Sequence, residues 1–175
     1  MQRAAYPGRV PFLRRLLGRQ VPDAVRAVVL DPGERRLAWG LTTADEPVVA
    51  TDTGLRLSGA PRLAWADVER ATWRRPILGV VKVSPVDGAG PRWQLDLADE
   101  RDLADVVRAQ VTASVAWSDH VRLKPAGGVR VVGRRRPGQE LLDWQLVFDA
   151  GTDPDDPQLR AQAEAVVLDV RRRIG

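Results

Sequence analysis

The chain has 175 residues, an apolar fraction of 44% and a net charge of +4, which suits one globular domain, or a core domain with an extension, and excludes a disordered chain. It contains no cysteine, which removes disulfides, thiolate metal sites, iron–sulfur ligation and cysteine nucleophiles in one step and fits a reducing cytosol. No stretch approaches the roughly 18 apolar residues of a membrane span, and the apolar run at Phe12, Leu13, Leu16 and Leu17 is interrupted by Arg14 and Arg15, unlike a secretory signal. The expected location is therefore cytoplasmic.

The sequence pI near 10.5 overstates the basic character, because the net charge is small. Only Lys82 and Lys124 among the 27 basic residues are lysine, so arginine dominates, as a GC-rich genome imposes. Nucleic-acid binding would need those charges gathered on one face. They do gather in blocks along the chain: residues 1–26 carry +5, 27–100 carry −2, 101–138 carry +5 and 139–175 carry −4. Such blocks form complementary faces or solvated surface.

In chain order, residues 1–32 form a basic N-terminal segment in which residues 10–20 read as a short amphipathic helix. Residues 25–30 fit a helical turn or a strand. Asp31-Pro32-Gly33-Glu34 has the chemistry of a type II turn. Short strands then follow at intervals of about ten residues, over 35–42, 47–51, 55–57, 62–65, 68–73, 77–83 and 93–97, separated by glycine and proline. The period switches at Asp99, which can cap a helix carrying Leu103, Val106, Val107, Val111 and Val115. Two more strands (117–123 and 129–132), the basic turn Arg134-Arg135-Arg136-Pro137-Gly138 and a strand over 141–148 complete an extension. Asp156-Pro157 opens a last helix, with Leu159, Ala163, Val166, Val170 and Ile174 on one face.

A meander of seven short strands closed by an amphipathic helix resembles the pleckstrin-homology-like (PH-like) barrel. Val48-Val49-Ala50-Thr51-Asp52-Thr53-Gly54-Leu55 and Leu63-Ala64-Trp65-Ala66-Asp67-Val68 are similar to bacterial PH-like sequences. The chain also resembles a small uncharacterised actinobacterial family in Leu37-Ala38-Trp39, Val111-Thr112-Ala113-Ser114-Val115, the Arg134–Gly138 turn and Asp153-Pro154-Asp155-Asp156-Pro157. These resemblances imply an α+β, mainly β fold: a PH-like antiparallel barrel over 33–116 with its capping helix. The extension over 117–175, a β-hairpin plus helix, is expected on the same core. The alternative is a β-sandwich with two helices.

No catalytic constellation emerges. Ser118-Asp119-His120 places serine, aspartate and histidine in sequence, but neighbours on a strand point to opposite faces and do not converge. Asp149, Asp153, Asp155 and Asp156 do not follow a calcium loop, since position 6 counted from Asp149 is Pro154 and position 12 is Arg160. There is no Gly-rich nucleotide loop, and neither a cofactor nor a metal is expected. Arg134, Arg135 and Arg136, with Arg14 and Arg15, are the candidate anion-binding residues, because arginine grips phosphate and carboxylate bidentately. The same turn can instead pair with the acidic segment 149–156. Trp117 and Trp144 are the interface candidates among six tryptophans otherwise suited to core filling. The function expected is a non-enzymatic protein-interaction module with an unidentified protein partner. The alternative is binding of a nucleic-acid backbone or anionic headgroup through the arginine turn. The sequence leaves the oligomeric state open.

Overall fold

The computed structural model describes residues 20–83, 90–100 and 102–174. The expected helix over 10–20, with Arg14 and Arg15, lies outside them except for Gln20, which is not helical. The ambiguous stretch near Val25 begins as a single helical turn, α1 (Asp23–Arg26), followed by β1 (Arg36–Thr42), β2 (Pro47–Thr51), β3 (Gly54–Leu57) and β4 (Leu63–Ala64). A 3-10 turn (Trp65–Asp67) leads into β5 (Val68–Arg74), β6 (Ile77–Lys82), β7 (Arg92–Asp99) and α2 (Leu103–Ser114). The chain ends in β8 (Val115–Arg122), β9 (Gly128–Arg134), β10 (Asp143–Phe148) and α3 (Pro157–Ile174). With 41% strand, 24% helix and antiparallel sheets, the fold is α+β and mainly β.

Seven strands form one sheet in the order β4-β3-β2-β1-β7-β6-β5. No pairing joins β4 to β5 among the described residues, so the expected barrel does not close. The local cause lies at β4, which is two residues long. Beyond it the chain turns inward at Trp65, 5% exposed, whose indole N–H donates to the buried Thr51 carbonyl at 2.9 Å. Trp65 therefore belongs to a turn and not to the expected strand. β1 and β7 meet only at Leu41↔Asp99 and Thr42↔Leu97, with a register shift between them. The sheet bends at this junction, where α2 inserts Leu103 and Val107 into the core beside Ala38, Val48, Leu55, Leu78 and Val80. The helix starts later than its sequence pattern implies. Asp99 ends β7, and Asp102 precedes α2 without a side-chain cap bond.

The turn before β1 is fastened from both sides. Gly33 has φ +81°, and the Glu34 amide donates to the Asp31 carbonyl at 3.0 Å, as a type II turn requires. The Glu34 side chain, 1% exposed, accepts from Thr51 Oγ1 at 2.6 Å, Thr53 Oγ1 at 2.9 Å, the Asp31 amide at 2.8 Å and Arg56 Nε at 3.0 Å. Burial alone would raise this carboxyl, yet the bonds from Arg56, Thr51, Asp31 and Thr53 together hold it at about 2 against an ordinary 4.5.

The extension does not add to that core. β8, β9 and β10 form a separate sheet in the order β10-β9-β8, and α3 covers it. Leu123, Val129, Val131, Leu159 and Ala163 make a second buried cluster, joined by Trp117, Val121, Trp144, Leu146 and Phe148. The α3 start follows the sequence expectation, since Asp156 Oδ1 accepts from the amides of Gln158 at 2.8 Å and Leu159 at 3.2 Å.

Two stability measurements test this account. A Cβ at Gly40 would stand 2.7 Å from the Asp99 carbonyl oxygen and 2.9 Å from Leu103 Cδ2. Gly40→Ala should therefore lower the unfolding free energy by about 1–3 kcal/mol in urea titrations. The depressed Glu34 carboxyl contributes stability that is complete above its unfolded pKa near 4.5 and lost as pH falls towards 2. Glu34→Gln should remove on the order of 3 kcal/mol at neutral pH and flatten the stability profile across that acid window.

Candidate functional site

The arginine turn sits where the two units meet. β9 runs two residues further than its apolar pattern implies and carries Arg134 inward, to 4% exposure. Arg134 Nε donates to Gln145 Oε1 at 3.0 Å, one terminal nitrogen donates to Ser114 Oγ at 2.7 Å, and the other donates to the Glu69 carbonyl at 3.1 Å. Burial presses its guanidinium below the ordinary value, and the charge of Glu69 opposes that shift. Arg136 bonds to the carboxylates of Asp67 and Asp143. The bond to Asp67 raises its pKa most, burial works against this, and the bond to Asp143 adds to the rise. Gln145 completes the seam by donating Nε2 to the Ala66 carbonyl at 2.8 Å.

Of the five candidate anion ligands, Arg14 and Arg15 lie outside the described residues, Arg134 and Arg136 are engaged inside the molecule, and Arg135 holds its side chain in solvent. The acidic segment 149–156 is not their partner. Asp149 Oδ2 lies 2.8 Å from His120 Nε2, Asp155 stands 3.8 Å from Arg160, and Asp156 caps α3. His120 is exposed, and the side chain of Asp119 turns back to accept from the His120 amide at 2.8 Å. The Trp117 and Trp144 rings meet in a tilted contact, with centroids 5.5 Å apart and planes at 60°. Both pair in register with Gly133 between them, where a Cβ would come within 3.2 Å of the Trp144 ring.

Trp144 also faces a groove of about 650 Å³ between the units, lined on its apolar side by Leu142, Trp144, Leu146 and Phe148. Lys82, Arg160 and Arg171 stand around this groove, along with Arg136 and its partners Asp67 and Asp143. Arg160 is 3.8 Å from both Asp155 and Glu164, and neither Lys82 nor Arg171 has a carboxylate within ion-pair reach among the described residues. One wall is a strand edge that pairs with no other strand among the described residues, since β10 ends its sheet. The Asp149 amide donates to the Gly128 carbonyl at 2.9 Å in continuous register with Asp143↔Arg134. Hydrogen-bonded pairs alternate along an antiparallel ladder. Residues 143, 145 and 147 thus bond to β9, and the backbone N–H and C=O of Trp144, Leu146 and Phe148 point outward. Sequence reasoning found Trp144 but not this edge.

No known protein family, curated protein or solved structure matches the chain.

Arg134 and Arg135 make a matched pair for testing the seam. Arg134→Ala strands buried acceptors and should cost about 3 kcal/mol in urea unfolding. Arg135→Ala should stay within about 0.5 kcal/mol of the parent.

Proposed function

We propose that the protein is a non-enzymatic, cytosolic interaction module that takes an extended segment of a partner protein as an added strand along β10. The observation that carries this reading is the unpaired edge of Trp144, Leu146 and Phe148 opening into the groove between the units. Strand addition draws affinity from main-chain hydrogen bonds and specificity from pockets for alternate side chains. A bare edge of this kind is also an aggregation hazard unless something covers it. The seven-stranded unit is read as an open relative of the PH-like barrel, on the support of its strand order and of α2 lying across its core. In this reading that unit serves as the platform against which the extension is held. Binding of a phosphate backbone through the arginine turn is the weaker reading, because Arg134 and Arg136 are already bonded within the chain.

Selection from a random peptide library tests the proposal. Selected peptides should slow amide exchange at residues 144, 146 and 148. Leu146→Pro removes an outward N–H and leaves the β9 ladder intact; it should abolish binding. Leu146→Ala, which keeps that N–H, should retain binding within about threefold. Binders unaffected by Leu146→Pro, with protection elsewhere, would overturn the proposal.

A further inference from the structure

We infer that the segment taken at β10 is acidic, with apolar residues at alternate positions and carboxylates between and beside them; this rests on the strand-addition reading above. β10 is six residues long, about 20 Å of strand, so it pairs with a segment of similar length. Side chains of an added strand that fall on the face shared by Trp144, Leu146 and Phe148 meet an apolar surface. Around that surface stand Lys82 at the end of β6 and Arg160 and Arg171 on α3, more than a helical turn apart. The two carboxylates of the lining, Asp67 and Asp143, are both taken by Arg136. Arg160 is shared with Asp155 and Glu164 at 3.8 Å, so Lys82 and Arg171 are the groove cations without a neighbouring acid among the described residues, and arginine binds carboxylate through paired N–H donors.

Other occupants fit less well. A nucleic acid offers no peptide backbone to the strand edge and would bring its phosphates beside Asp67 and Asp143. A second copy paired edge to edge would bring Lys82, Arg160 and Arg171 of both chains together, and like charges so placed oppose association. The chain's own residues 1–19 carry five arginines and no acid, so they share the sign of the groove.

Three eight-residue synthetic peptides separate the outcomes: alternating valine and glutamate, valine and lysine, and valine and serine. Each is titrated by fluorescence anisotropy, with hydrogen exchange read at residues 144, 146 and 148. The glutamate peptide should bind at least about tenfold tighter than the lysine peptide, and raising salt to about 0.5 M should shrink the difference. In the double variant Lys82→Glu, Arg171→Glu the preference should reverse, with an unchanged circular dichroism spectrum. Equal binding of all three peptides, with residues 144, 146 and 148 protected, would refute the charge preference and leave strand addition standing. Protection of those amides by none of the peptides would sink strand addition and the charge preference with it. A dimer in sedimentation, with the same amides protected in the absence of peptide, would assign the edge to a second copy and overturn the inference.

Discussion

A buried arginine joins the two halves of this molecule. Arg134 lies almost wholly out of water, and the surrounding groups that receive its protons are carbonyls, an amide and a hydroxyl. A guanidinium cannot shed its charge to relieve such burial. It must be fully hydrogen-bonded, and the only arrangement that supplies the acceptors is the docked one, with the Ser114 end of α2 and the Glu69 carbonyl both in place. The apolar clusters on either side are separate, so the relative placement of the two sheets depends on this polar contact and on its neighbours Arg136 and Gln145.

The groove follows from that constraint. It exists because the seam holds β10 near the Lys82 end of β6 without letting the two sheets merge. If they merged, the outward groups of Trp144, Leu146 and Phe148 would be consumed in a ladder. Held apart, they form a strand edge with an apolar wall and a basic rim. The tilted Trp117–Trp144 contact over Gly133 fixes that wall from behind.

Local chemistry made much of the fold legible in the sequence. The Asp31–Glu34 turn and the Asp156 cap rest on residues a few positions apart, and both stand where their chemistry places them. What escaped was non-local. Three consecutive arginines read as an anion-binding turn or as a partner of the acidic segment 149–156, and nothing near Arg134 announces Glu69, 65 positions upstream. Continuing the alternation of β9 two residues past Val132 would have put Arg134 on the same face as that buried valine. Strand order decides whether an edge is free, and order depends on long-range pairing that periodicity does not encode. Trp144 was therefore legible as a large aromatic on a strand, while its place beside an open edge was not.

The seam divides its sequence requirements unequally. On one side stand three side chains, Arg134, Arg136 and Gln145, each with a specific donor geometry. On the other side, Ala66 and Glu69 accept hydrogen bonds only through main-chain oxygens, and just Asp67 and Ser114 accept them through side chains. A main-chain oxygen is present whatever residue bears it. Substitution at position 69 leaves its hydrogen bond to Arg134 in place, whereas the buried Ala66 must stay small and the extension must keep its three polar residues together. The donor side chains of the union between the two halves thus all lie in the C-terminal one.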